Sequence, residues 1–160
     1  IIADLSSQDQ VKKAAEQFLS LDKPLDILLN NAGIMNRERN ETVDGLEEVF
    51  SVNHLAYFTF TLMLSEKLKQ TEDSRVINVA SGAHQFVKNM NFDDLQSKEN
   101  YKPMQVYGQS KLANILFTRA LSTMRSGFGV TVNCLHTSFV STGIGSNNNK
   151  TLWTDFMFLD

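Results

Sequence analysis

The apolar run Leu25-Asp26-Ile27-Leu28-Leu29 opens behind Pro24 and stops at Asn30-Asn31-Ala32-Gly33. A stretch this short, apolar and bounded by turn residues, fits a buried parallel strand, which restricts a chain to sheets covered by other elements. At the carboxyl end of such a strand, small residues and a glycine let the backbone approach a ligand closely, while Asn side chains tie the loop down. A turn held by its own amides uses the same residues, and the two roles are compatible. Two more strand-like runs follow, Arg75-Val76-Ile77-Asn78-Val79-Ala80, which delivers Ser81 at its end, and Val130-Thr131-Val132-Asn133-Cys134-Leu135.

Helical patterns separate these runs. Asp4-Leu5-Ser6-Ser7 turns into a helix from Gln8 to Leu19, with Ser side chains accepting from its free amides and Val11, Ala14, Ala15, Phe18 and Leu19 on its inner side. From Leu46 to Lys69 apolar residues cover so many sides that the helix must be buried against a sheet or an oligomer interface. Asn53 interrupts that surface, and His54 beside it reads as structural. Ile1-Ile2-Ala3 reads as the end of a short buried strand. With no initiating Met, it marks the chain as an excerpt of a longer protein.

In Tyr107-Gly108-Gln109-Ser110-Lys111, a helix places the phenol and the ammonium on one face, four positions apart. A free phenol titrates near 10, whereas a cation about 4 Å away at an effective dielectric of about 20 stabilises phenolate by roughly 4 kcal/mol before solvent screening. The spacing alone also suits a solvated Lys beside a half-buried Tyr. Its company decides between the two.

Asn30-Asn31-Ala32-Gly33, Asn53, Ser81 and Tyr107-x-x-x-Lys111, in this order, resemble the short-chain dehydrogenase/reductase family. Val79-Ala80-Ser81-Gly82-Ala83-His84 and Tyr107-Gly108-Gln109-Ser110-Lys111-Leu112-Ala113-Asn114 are most similar to its retinol dehydrogenase-like branch. The resemblance implies an α/β Rossmann-type doubly wound parallel sheet. It would be incomplete, because the chain starts at the third strand and carries no G-x-x-x-G-x-G phosphate turn. Residues 1–160 then form a single partial domain running from the third strand to the start of a substrate lid, the apolar segment from Leu152 to Leu159.

The resemblance further implies hydride transfer between a nicotinamide cofactor, NADP with NAD as the alternative, and an alcohol or carbonyl substrate. In the family pattern Tyr107 is the general acid and base, Ser81 holds the carbonyl oxygen, Lys111 lowers the Tyr107 pKa and binds ribose, and Asn53 organises a proton relay. Asp4, Asn30, Ala32, Gly33, Val140 and Thr142 join Tyr107 and Lys111 around the cofactor. Gln85, Phe86, Phe92 and Met104 shape the substrate pocket, partly through an extra turn at Asn91-Phe92-Asp93-Asp94-Leu95. The resemblance also implies that the helices Leu46 to Lys69 and Tyr107 to Met124 are the pair through which a homodimer would form. Thr137-Ser138, where the family usually has Pro-Gly, is the clearest departure and alters the loop over the nicotinamide.

Composition narrows the alternatives. With 160 residues, 42% of them hydrophobic, the chain suffices for one ordinary core. A net charge of -3 offers no basic stripe for nucleic acid. No apolar run reaches the roughly 18 residues of a spanning helix, no signal peptide is expected from these residues, and the compartment stays open between cytoplasm and membrane attachment through segments outside this chain. His54, His84 and His136 lack metal-ligand spacing, and the lone Cys134 reads as a buried strand residue. A serine hydrolase fails at Gly108-Gln109-Ser110-Lys111-Leu112, which has Leu where G-x-S-x-G requires its second glycine. An inactive fragment and a non-catalytic oligomerisation module remain the rival readings.

Overall fold

The computed structural model describes residues 1–125 and 129–137. Three strands, β1 (Ile27–Asn30), β2 (Arg75–Ser81) and β3 (Thr131–Thr137), lie side by side in that order. Both pairings are parallel, with Asn30 opposite Asn78 and Ser81 opposite Thr137. Parallel neighbours cannot be closed by a hairpin, so each connection crosses over through helices. The result is an incomplete Rossmann-type sheet.

Helix α1 (Gln8–Ser20) precedes β1. Ser7 caps it, its Oγ accepting from Gln10 N at 3.4 Å, and Val11, Ala14 and Ala15 recur at helical spacing on the buried side. Leu19, expected inside, is exposed. Between β1 and β2 the chain winds through α2 (Glu48–Phe50), a π-helical turn (Ser51–Leu55) and α3 (Ala56–Met63) without a break, then α4 (Ser65–Gln70). The single helix expected from Leu46 to Lys69 is thus divided at Leu64, whose ψ of 1° stops the spiral and seats its side chain in the core at 1% exposure. The long α5 (Pro103–Arg125) links β2 to β3, and Gly129 follows it with a φ of +72° that a side chain would strain.

Leu28 and Val76 point to one face of the sheet, where Ala15 of α1, Leu64, Leu68 of α4 and Phe117 and Leu121 of α5 close over them. Residues one step along the strands look the other way: Ile27 and Leu29 are each 56% exposed and Leu135 is 44% exposed. The expectation of a fully buried strand at residues 25–29 therefore holds for one face only. Residues 1–3 do not form the buried strand expected of them, since Ile1 is 63% and Ile2 99% exposed. A strand persists where a neighbour takes up its backbone groups, and among the described residues none pairs with this segment.

Candidate active site

Pro103 starts α5 at the position where its missing N–H costs nothing. One turn on, Tyr107 and Lys111 stand on the same inner face, 4% and 2% exposed. Gly108 sets how closely α5 approaches the 3-10 turn Gly82–Phe86 that follows β2, for a Cβ there would stand 2.7 Å from Ala83 O. This close approach brings Tyr107 towards Ser81 at the end of β2, near enough for hydrogen bonding by Ser81 to weigh on the pKa of the phenol. Ser81 Oγ also accepts from Ala83 N at 3.2 Å, which holds the hydroxyl at the strand end.

The phenol is not tuned as the spacing suggested. Burial pushes the Tyr107 pKa up, and the Ser81 hydrogen bond offsets only part of the rise. Lys111 does not reverse it, because the amine is buried too. Its Nζ donates to Val79 O at 3.2 Å and lies 5.6 Å from the Tyr107 ring centroid and 5.8 Å from that of Tyr57. Loss of solvent lowers the Lys111 pKa to about 8, with Cys134 on β3 acting weakly in the opposite direction.

Asn53 lies in the π-helical turn, with Ala56 N reaching back to Ser51 O, and is fully buried. Its Oδ1 accepts from Ile34 N at 2.8 Å, while Nδ2 donates to Ile34 O at 2.9 Å and to Ser110 Oγ at 3.0 Å. Ser110 Oγ donates in turn to Tyr107 O at 2.8 Å. One amide therefore ties the loop after β1 to the turn of α5 that carries the Tyr–Lys pair. His54 sits in an aromatic cluster with Phe50, Phe58 and Phe117, in keeping with the structural role expected of it.

The Asn30-Asn31-Ala32-Gly33 loop lies against the same pair. Tyr57 OH donates to Ala32 O at 2.6 Å, and a Cβ on Gly33 would stand 3.3 Å from Lys111 Nζ and 3.5 Å from Asn53 Oδ1. Asn30 Nδ2 donates to Thr61 Oγ1 at 2.9 Å and Asn78 Oδ1 at 2.8 Å, the tying role expected of an Asn side chain in this loop. Asp4 is likewise occupied locally, accepting from Ser6 N at 2.9 Å, which holds its carboxyl below the usual value. Its neighbours Ala3 and Leu5 line a groove of about 350 Å³ together with Asn30, Asn31 and Ala32.

Of the residues expected to shape a substrate pocket, only Met104 joins the cluster of Met35, Val106 and Tyr107. Phe92 is 75% exposed, and Phe86 opens onto a separate cavity of about 500 Å³ shared with Lys88, Asp94, Gln105 and Gln109. Gln105 and Gln109 are two positions either side of Tyr107 and so point away from it. Val140 and Thr142, Ser138 of the Thr137-Ser138 departure, Gly127, and the segment from Leu152 to Leu159 lie outside the described residues. No described helix is long and apolar enough to cross a membrane, and no metal-sized group of His, Cys, Asp or Glu occurs among the described residues.

Sequence reasoning missed a buried polar chain behind this site. Asn78 Nδ2 donates to Thr118 Oγ1 at 2.9 Å, Thr118 Oγ1 donates to Asn114 O at 2.8 Å, and Asn114 Nδ2 donates to Asn53 O at 2.9 Å. Two signals were available. Asn78 is a polar residue inside an apolar strand run, where an amide needs partners. Asn114 stands three positions after Lys111 on the same helix face.

The short chain dehydrogenase family matches residues 1–153. The chain belongs to this family. Retinol dehydrogenase 12 of Mus musculus is 43% identical over 145 residues, covering 91% of this chain and 46% of that protein. Retinol dehydrogenase 14 of Homo sapiens is 42% identical over 142 residues, covering 89% of this chain and 42% of that protein. The chain thus spans under half the length of these relatives. Among solved structures, a protein from Mycobacterium paratuberculosis superimposes with a TM-score of 0.76 at 33% identity, over 90% of this chain and 52% of the other. A short chain dehydrogenase from Burkholderia cenocepacia in complex with NADP gives 0.65 at 27% identity, over 85% and 51%.

Proposed function

We propose that this short-chain dehydrogenase chain carries the proton-transfer site of an NADP(H)-dependent oxidoreductase that interconverts an alcohol and its carbonyl, with a retinol dehydrogenase-like preference for apolar substrates. NAD is the alternative cofactor. The observation that supports it most directly is the close packing of α5, with Tyr107 and Lys111 buried on its inner face, against the turn that opens at Ser81. Two hydroxyls converging on one point can grip one carbonyl oxygen.

In the reducing direction Ser81 donates a hydrogen bond to that oxygen and Tyr107 delivers a proton to it. In oxidation Tyr107 takes the proton back. Its raised pKa favours the neutral phenol, the form that a proton donor needs. A bound nicotinamide dinucleotide supplies or accepts the hydride. The residues present suit its ribose and nicotinamide half, because Gly33 leaves free the space beside Lys111 and Asn53 that a side chain would fill. Ala32, Gly33, Tyr107 and Lys111 would hold that half, with Asp4, the Asn30 backbone, Val140 and Thr142 completing the set. No G-x-x-x-G-x-G occurs in the sequence, so the affinity of this chain alone for the dinucleotide is weak.

Phe58 and Leu62 of α3 and Leu116 of α5 are 41%, 37% and 42% exposed, which favours a homodimer through these helices. A non-catalytic oligomerisation role rests on the same surface. Carbonyl reduction with NADPH, retinaldehyde being one substrate, separates the readings. Tyr107→Phe is expected to reduce turnover at least about a hundredfold with the fold intact. Unchanged turnover would remove Tyr107 from the chemistry.

A further inference from the structure

Asn114 is fully buried on α5, one turn beyond Lys111. Its Nδ2 donates to Asn53 O at 2.9 Å and to Val79 O at 3.4 Å, and its Oδ1 lies 3.0 Å from His54 Nδ1. These partners settle which way round the amide sits. Turned over, it would aim its oxygen at two carbonyls that can only accept. Oδ1 therefore takes the His54 contact, and His54 carries its proton on Nδ1.

Val79 O is also the acceptor that Lys111 Nζ uses at 3.2 Å. A carbonyl oxygen offers two lone pairs, so the amide and the amine divide it between them. We propose that Asn114 is a positioning residue of the site: its carboxamide locks the Asn53 and Val79 carbonyls in place and, through the second, fixes where Lys111 directs its amine. The catalytic meaning of this role rests on the oxidoreductase reading, but the geometry does not.

The electrostatic sign follows from the shared oxygen. The Asn114 N–H groups present the positive end of a dipole to the region that the Lys111 ammonium occupies. They disfavour its charged form and reinforce burial, which holds it near 8. An amine titrating so close to neutral pH can pass a proton on as well as hold one. The other titratable groups facing it are Tyr57 from α3, Tyr107 from its own helix and Cys134 from β3. His54 reaches it only through Asn114.

The test follows the Lys111 13Cε resonance by NMR from pH 6 to 11 in this chain, with the peak assigned by its loss in Lys111→Arg. It needs neither cofactor nor turnover, so an inactive chain gives as clear an answer as an active one. Asn114→Asp is expected to raise the Lys111 midpoint by at least about one unit, cutting the neutral amine at pH 8 about fivefold, and Asn114→Leu by a smaller step in the same direction. In the unmodified chain the Asn114 side-chain NH2 signals should move with the same midpoint as Lys111. A residue that merely fills the core would lower the melting temperature and leave the Lys111 midpoint of Asn114→Leu, which adds no charge, where it is in the parent. Midpoints within about 0.3 of a unit of the parent in folded variants would overturn the proposal. If neither variant folds, NH2 signals that ignore the Lys111 titration would overturn it as well.

Discussion

Replacing Gly108 by Ala adds one methyl group, at the point where α5 meets the turn behind β2. An ideal Cβ there would stand 2.7 Å from Ala83 O and 3.3 Å from Val87 Cγ1. Two effects compete. Alanine gains about 1 kcal/mol over glycine in a helix interior, while overpacking costs about 1–3 kcal/mol. The clash wins because its partner is a backbone oxygen in a short turn that cannot swing aside. Ala83 N is held by Ser81 Oγ at 3.2 Å, and Val87 N by His84 O at 3.3 Å.

Gly108→Ala should therefore be less stable than the parent by up to about 2 kcal/mol, a melting-temperature drop of about 2–4 °C for each kcal/mol in a domain of this size. Urea unfolding followed by circular dichroism measures this directly. Gly82→Ala is the control: it lies in the same turn, meets nothing within 4 Å, and should fall within about 0.5 kcal/mol of the parent. A Gly108→Ala protein as stable as the parent, with an unchanged denaturant slope, would refute the claim that this glycine sets the approach of Tyr107 to Ser81.

Asn78→Leu leaves Asn30 Nδ2 with Thr61 alone and removes the donor to Thr118 Oγ1, so a loss of about 1–3 kcal/mol is expected in the same unfolding assay. His54 has its pKa lowered from 6.5, chiefly by burial and against the Asn114 hydrogen bond. Below pH 6.5 the unfolded chain gains a proton that the folded chain refuses. The contribution of His54 is thus complete above pH 6.5 and is lost as the pH falls towards its folded value. His54→Phe should flatten the slope of stability against pH below 6.5, and an unaltered slope would show that His54 protonates freely in the folded state.

Periodicity made α1, α5 and the three strands legible to within a few residues, because each carries its own apolar repeat between turn residues. Of the candidate site residues named from sequence, the fold brings Asn53 and Lys111 to the Gly33 loop and packs α5, which carries Tyr107, against the turn that opens at Ser81. What stayed hidden depends on long-range partners. The exposure of Ile1 and Ile2 follows from what stands beside them, not from their apolar character. The division at Leu64 is a backbone angle that no residue type announces. Spacing alone argues for a phenol made acidic by its neighbour. Burial of both Tyr107 and Lys111, a property of the packed core, reverses that sign. The positions of Thr61 and Asn78 alone reveal where the Asn30 amide goes.

The wide turn at Ser51–Leu55 carries a last consequence. A π turn absorbs one residue more than the regular spiral, so the stretches on either side keep the directions they would have in an unbroken helix. Removing Asn53 itself would shorten the turn by one position and take away both the amide bridge between loop and neighbouring helix and the carbonyl that Asn114 Nδ2 uses. A one-codon change in length at this spot would thus uncouple the loop after β1 from α5.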